Sequence, residues 1–526
     1  MSLQTSARET DAAGSSTQTR KRPVAGALLG VTTAAVALGV AHLIAGLIGR
    51  EASPVIAVGS AAIDLTPEWL KSFAIRNFGA NDKTVLLGGI GVVLLLAAVA
   101  LGVASVRRRT LGLAGVAVLG MVGVLAALTR PTASAVDALP SILGAVAGAS
   151  TFLRLHARLA PAAATAEPSV GVERRRFLVG GAAALGLAAV AGGLGQLLSR
   201  RFAADESRAA VTIPQPADAA PPAPAAADFG VSGLSPFVTP NADFYRVDTA
   251  LIVPSVRAED WTLRVHGMVD RELTLNFDQL LARDLIERDI TLTCVSNEVG
   301  GPYVGNARWV GAPLAALLEE AGADPAADQL VSRSIDGFTV GTPSAEVMDG
   351  RDAMLAVQMN GEPLPLEHGF PVRMLVPGLY GYVSATKWIT ELELTTFDAF
   401  DPYWVRRGWA SEAPIKTQSR IDTPKPLAKV PAGPAVIAGV AWAQQRGVRR
   451  VEVRIDDEPW REAQLAAQDT VDTWRQWRID WDAASPGSHT LQVRATDETG
   501  ATQTADRAEP FPDGATGQHQ LVVTVT

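Results

Sequence analysis

The chain has 526 residues, too long for a single hydrophobic core, so several domains are expected. Its hydrophobic share of 48% and positive mean hydropathy of +0.17 point to membrane segments. A formal net charge of -8 lacks the basic field that nucleic-acid binding needs, and a single cysteine excludes an internal disulfide, a Cys-ligated iron–sulfur cluster and CxxCH haem attachment within the chain.

Five apolar runs occupy the first 200 residues: Val24–Gly49, Thr84–Val106, Leu111–Leu128, Ser134–Leu153 and Phe177–Leu198. Three of them are long enough to cross a bilayer as helices; the third is near the minimum length, and the fourth carries Asp137 and Pro140 near its start. Together they predict an N-terminal transmembrane bundle of about five helices over residues 24–200, behind a tail at 1–23. Arg20, Lys21 and Arg22 precede the first run. Arg107–Arg109 separate the second from the third, and Arg154, Arg158 and Arg174–Arg176 lie between the fourth and fifth. The positive-inside rule puts these loops in the cytoplasm and everything after Leu198 outside the cell membrane, with lipid as the first partner. The entrance to the fifth run, "ERRRFLVGG", also fits the R-R-x-F-L core of a twin-arginine export signal, which carries folded proteins. His42 alone lies well inside a run, too few histidines for a bis-histidine haem, so a plain anchor is expected.

Residues 201–228 are rich in Ala and Pro and read as an extended spacer. From 229 to 411 the pattern is that of an α+β domain. Strands are expected at Trp261–Val265 and Ile290–Cys294, and "FPVRMLVPG" and "KWITELELTTF" read likewise. "PLAALLEEAGA", from Pro313 to Ala323, is a short helix with Pro at its first turn and Gly near its end. No regular βαβ spacing is present, which disfavours a doubly wound sheet. From 412 to 526, "AVIAGVAWA", "VRRVEVRIDD", "TWRQWRIDWD" and "HTLQVRATD" alternate apolar and polar residues and predict an immunoglobulin-like β-sandwich.

The lone cysteine, Cys294, ends a β-branched run and opens the turn "SNEVGG". Its position leaves three roles open: small core hydrophobe, nucleophile or metal ligand. Downstream, "LEHGFPVRMLVPGLYGYVSATKW" offers His368, Arg373, Ser384, Thr386 and Lys387, donors and cations of the kind that bind phosphate. A third stretch, "VTPNADFYRVD", offers Asn241, Tyr245 and Arg246.

These stretches together resemble the sulfite-oxidase-type molybdopterin-dependent oxidoreductases, from about Pro236 through the sandwich. "HGFPVR-x-x-VPG" followed by "KW" carries the resemblance most specifically, with "GNARWVGAPLAALLEEAG" and "MNGEPLP" beside it. The N-terminal half looks like that of membrane-anchored bacterial members. The resemblance implies a molybdenum–molybdopterin cofactor, with Cys294 supplying the thiolate that ligates the metal and taking part in catalysis. It implies pterin-phosphate contacts from His368 and Arg373, and cofactor contacts from Tyr245, Arg246, Ser384 and Lys387. Arg246 would also stand at the catalytic centre. The implied reaction is two-electron oxygen-atom transfer on a small substrate, with sulfur compounds among the candidates. A separate cytochrome or quinone-linked partner would carry electrons, and the sandwich resembles the family's dimerisation domain, which implies a homodimer.

The match departs just past the cysteine. The family continues C-A-G-N-R-R, whereas this chain reads "CVSNEV", with Glu298 and Val299 where two arginines would stand. Phe338 in "DGFTVG" replaces an active-site tyrosine, leaving Arg246 and Arg308 as sources of positive charge. Sulfite, an anion, is therefore expected to be a poor substrate, and a neutral sulfoxide or N-oxide at least as good. The competing reading is a membrane-anchored scaffold or adhesion protein with a degenerate cofactor domain.

Overall fold

A computed structural model describes residues 6–78, 82–159, 170–199 and 203–526. The first five residues of the expected tail and residues 200–202 of the expected spacer lie outside the described residues, as do the side chains of Arg20, Lys21, Arg22 and Arg174. The chain divides into two compact units: Met1–Ala203 with the short segment Thr249–Ile252, and Ala204–Asp248 with Val253–Thr526.

The first unit is helical: α1 (Ser6–Ile48), α2 (Pro54–Leu65), α3 (Glu68–Phe78), α4 (Asp82–Ser105), α5 (Arg109–Leu128), α6 (Leu139–Ala157) and α7 (Val170–Ser199). Five stretches of these are long and apolar enough to cross a membrane: Pro23–Ile48, Lys83–Ser105, Arg109–Leu128, Ala135–Ala157 and Arg175–Ser199. Helix α1 packs on α4, α6 and α7 through small residues. A methyl group added at Gly30 would lie 1.9 Å from the Ala98 carbonyl, at Gly39 2.6 Å from that of Ala188, and at Gly46 2.4 Å from that of Gly195. Small residues let the helix backbones approach this closely. Asp137 and Pro140 sit at a helix start: Asp137 caps Ser134 N at 2.9 Å and pairs with Arg130 at 3.6 Å, while Pro140 falls in the first turn of α6. The R-R-x-F-L stretch lies within α7, where Phe177 is buried with Leu29, Phe152 and Leu155.

The second unit begins with an α+β domain. One sheet has the order β2-β1-β10-β5-β6, built from β1 (Thr262–Gly267), β2 (Leu273–Asn276), β5 (Gln329–Ser334), β6 (Thr339–Pro343) and β10 (Ile389–Thr395). The other has the order β3-β4-β7-β8, built from β3 (Ile286–Thr293), β4 (Val304–Pro313), β7 (Met354–Met359) and β8 (Glu362–Pro363), with β9 (Arg373–Leu375) on β7. The expected helix runs Leu314–Ala321 and stops at Gly322, whose φ of +69° makes a left-handed cap. Cys294 lies one residue beyond β3, as the run predicted.

The C-terminal part is a two-sheet sandwich. Its first sheet, β11-β13-β17-β16, contains β11 (Gln418–Thr423), β13 (Gly433–Trp442), β16 (Gln464–Leu465) and β17 (Arg475–Ala483). The second, β12-β19-β18-β14-β15, contains β12 (Lys429–Val430), β14 (Val448–Ile455), β15 (Arg461–Glu462), β18 (Gly487–Asp497) and β19 (His519–Val525). Ile437 and Trp477 of one sheet meet Val451, Leu491 and Val523 of the other in a common core.

The Ala/Pro-rich stretch departs from the expected spacer. From Ala204 on it is strapped along the second unit. Arg208 donates to the Leu364 and Pro363 carbonyls, Asp218 bridges to β3 through Glu287 N, and Ala226 O accepts from Ala467 N at 2.9 Å. Extended, proline-rich backbone leaves its carbonyls free to accept bonds from neighbouring strands and side chains.

Candidate functional site

The site gathers where β3 ends, where the segment 241–248 crosses the domain, and where the turns flanking β9 bring in His368, Arg373 and Lys387. Cys294 N donates to Tyr303 O at 3.0 Å, and Sγ lies 2.9 Å from the Ser296 hydroxyl. Burial pushes the thiol pKa up, while Ser296 and the Lys387 charge pull it down. Tyr245 interacts electrostatically with Cys294, and burial drives its own pKa well up. Its ring stacks on Phe244 at 5.2 Å, and Phe244 meets the His368 and Trp309 rings edge-on.

The cationic end is organised around one carboxylate. Asp248, its side chain 4% exposed, holds Lys387 Nζ at 2.8 Å and Arg246 Nε at 2.9 Å. Burial lowers the Lys387 pKa to about 8, against the pull of Asp248. Residues 246 and 248 are two apart in extended chain, so both side chains fall on one side. Asp336 lies close enough for the Asp248 charge to reinforce the rise in its pKa that burial causes.

Arg373 is 5% exposed. Its guanidinium lies over the Trp309 ring at 5.1 Å and donates Nη1 to His368 O at 3.1 Å, while Nε has no protein partner. Burial lowers its pKa to about 10. Burial, with Arg373 and Lys387 behind it, depresses His368 to about 4, so the imidazole is neutral; Nε2–H donates to Asn241 O at 3.2 Å and leaves Nδ1 as an acceptor. Gly369, with φ of +112°, makes this crowding possible, because a Cβ there would sit 3.1 Å from the Cβ atoms of both Arg373 and Lys387.

Of the residues singled out in the sequence, Cys294, Tyr245, Arg246, His368, Arg373 and Lys387 come together. Ser384 is placed differently: it is fully buried, and its hydroxyl donates to the Leu379 and Tyr380 carbonyls of its own turn, so no proton remains for a ligand. Arg308 does not supply charge to the site either, since it is bound to Asp289 at 2.5 Å on the β3–β4 ladder. Glu298 is exposed on the turn. Phe338 packs on Tyr403 at 5.4 Å. Sequence reading missed Asp248 and Trp309; the signal for the first was the i, i+2 spacing in "RVD".

The residues present fit a sulfur-held metal on a phosphorylated pterin. One thiol stands at one end. At the other, Arg246, Arg373 and Lys387 set against Asp248 leave two positive charges, three less one, to meet a phosphate monoester of charge near -2. The orphaned Nε of Arg373 is the donor such a phosphate would satisfy.

The family profile of the oxidoreductase molybdopterin binding domain matches residues 250–404. The chain is 30% identical over 291 residues to mitochondrial sulfite oxidase of Mus musculus, covering 46% of this chain and 53% of that one. It is 32% identical over 149 residues to the uncharacterized oxidoreductase YuiH of Bacillus subtilis, covering 28% and 72% respectively. Among solved structures, the sulfane dehydrogenase SoxCD from Paracoccus pantotrophus is 25% identical with a TM-score of 0.49, over 56% of this chain and 85% of that one. The chain thus spans about half the length of the sulfite oxidase that it matches. It belongs to the sulfite-oxidase-type family of molybdopterin-dependent oxidoreductases, whose cofactor is molybdenum carried by molybdopterin.

Proposed function

We propose that the chain is a membrane-anchored, extracytoplasmic enzyme that transfers an oxygen atom to or from a small neutral substrate, a sulfoxide or an N-oxide. The observation that carries this reading is the pairing of the site's cations. Arg246 and Lys387 share Asp248, Arg308 is bound to Asp289, and Arg373 is buried against Trp309. Among the described residues of the site, the surplus charge lies at the end proposed for the pterin phosphate, and Glu298 and Val299 stand beside Cys294 where sulfite would need cations.

Molybdenum supplies the two-electron redox change when bound. Cys294 is the thiolate ligand, and Ser296 orients its sulfur. His368, Arg373, Lys387 and Arg246 seat the phosphate end. The surplus positive charge there is neutralised on binding, which removes the cost of the uncompensated buried guanidinium. Tyr245 and Phe244 form an aromatic wall between the two ends. An external cytochrome or quinone-linked partner completes the cycle, the immunoglobulin-like sandwich pairs two copies, and the five apolar helices hold the chain at the membrane.

Steady-state assays on molybdenum-loaded protein with a dye donor or acceptor test the substrate. Turnover of sulfoxides or N-oxides with weak sulfite oxidation is expected. Efficient sulfite oxidation at micromolar substrate would overturn the neutral-substrate reading.

A further inference from the structure

The turn that carries Cys294 is tied to itself and also gripped from outside. Within it, Asn297 N donates to Cys294 O at 3.0 Å, Gly301 N to Glu298 O at 2.8 Å, and Tyr303 N to Asn297 Oδ1 at 2.8 Å. A side chain at Gly301 would strike Asn297 Oδ1 at 2.6 Å. From β11 of the sandwich, Arg420 reaches in and donates Nη1 to Gly301 O at 2.9 Å. Its other nitrogens are fixed, Nε by Asp422 at 2.6 Å and Nη2 by the Ser235 hydroxyl at 3.0 Å. From β19, the ring of His519 lies against Gly300. A Cβ at Gly300, where φ is +79°, would be 2.2 Å from a ring carbon of His519. The imidazole is held in turn by Ile421 N, which donates to Nδ1 at 3.0 Å. The approach to the turn is gripped as well. Gln444 Nε2 donates to Thr291 O at 3.0 Å, Thr291 N to Asp472 O at 2.9 Å, and Trp474 N to the Thr291 hydroxyl at 2.7 Å.

We propose that the C-terminal sandwich acts as a clamp on the metal-ligand turn, with Arg420 and His519 as positioning residues that fix the direction of the Cys294 sulfur through Gly301 and Gly300. The proposal rests on Cys294 being the metal ligand only for its consequence in catalysis; the clamp itself is a property of the protein alone. A thiolate ligand holds its metal at a bond angle set by the backbone behind it, and the residues behind a ligand tune the metal. Two glycines give that backbone no side-chain packing of its own, so its conformation is supplied from the neighbouring domain.

Because Cys294 is the only thiol in the chain, its alkylation by iodoacetamide reads this turn directly in the full-length, cofactor-free protein. Arg420→Lys and His519→Ala are each expected to raise the alkylation rate about tenfold or more, the opening factor set by losing one charge-assisted or buried contact. Gly300→Ala should raise it further by colliding with the imidazole. Combined with His519→Ala, which removes the obstacle, it should react more slowly than the product of the two single effects. In molybdenum-loaded protein, the Arg420 and His519 variants should shift the metal's midpoint potential while retaining it. Wild-type alkylation rates in Arg420→Lys and His519→Ala, or strictly multiplicative effects for Gly300 and His519, would overturn the clamp. If Arg420→Lys does not fold, the Gly300–His519 pair decides alone. Retention of molybdenum by Cys294→Ser would instead overturn the ligand role, an outcome that the alkylation rates do not touch.

Discussion

The two ends of the proposed cofactor cradle are built by opposite means. The end proposed for the phosphate is made of charge: three cations, one shared carboxylate and a neutral imidazole, with Arg373 and Lys387 crowded on Gly369 and Arg373 backed by Trp309. The metal end is made of backbone shape: one thiol on a glycine turn, with the nearest lysine already paired. Charge can be read from a sequence because Arg, Lys and His are rare in buried positions unless they serve something. Shape cannot, because the glycines that allow it look the same wherever a turn occurs.

The first way to break this contrast is to remove the thiol. Cys294→Ser should lower molybdenum from about one per chain to less than about a tenth, since a hydroxyl is a poor soft-metal donor. Metal analysis by mass spectrometry checks it, and wild-type loading would return Cys294 to the role of core filler. Next comes the carboxylate at the other end. Asp248→Asn leaves Arg246 and Lys387 uncompensated, and should lower the stability of the cofactor-free chain by about 3–5 kcal/mol. Cofactor phosphate can replace the lost charge, so the gain in melting temperature on loading should be larger than in the wild type. An equal gain would mean that the phosphate does not sit there.

A smaller effect separates the two ends by pH. His368 and His519 are both depressed to about 4 by burial, one at each end. Between the ordinary histidine range near 6.5 and about 4, the unfolded chain binds protons that the folded chain refuses. Each residue therefore contributes stability above about pH 6.5 that is lost as pH falls towards 4, on the order of 1–3 kcal/mol. His519→Gln should flatten the fall in melting temperature over that window; an unchanged slope would show that the ring is not held neutral. Last, Gly369→Ala should cost about 1–2 kcal/mol from its positive φ and weaken phosphate seating, with little change in Cys294 alkylation.

Much of the frame was legible beforehand for simple physical reasons. Apolar runs of about twenty residues have few alternatives to long helices, and the period-2 strands of the sandwich match β13, β14, β17 and β18 closely. Pro313 and Gly322 bracket their helix as the capping rules require. The clustering of Cys294, His368 and Arg373 was readable because their motifs fall at the ends of strands in one sheet. The site was not readable where the partner decides. Ser384 looks like a ligand donor until its hydroxyl is seen bound to its own turn, and Arg308 looks like a free cation until Asp289 is placed opposite it on the next strand. The Ala/Pro stretch reads as a spacer because composition reports stiffness, not whether a surface is ready to receive it.

That strap also sets an order of events. Phe229 N donates to Gln476 Oε1 across 247 residues of sequence, and Ala226 accepts from Ala467. A ribosome releasing this chain has exposed the strap, and the whole α+β domain after it, long before Ala467 and Gln476, which hold the last part of the strap, exist. The first part of the strap can settle on the α+β domain through Arg208 and Asp218 as that domain emerges, but its last part stays loose. The face that meets the sandwich, with the Cys294 turn on it, stays uncovered until the sandwich is made, and that interval is when a cofactor could enter and when an aggregating neighbour does most harm.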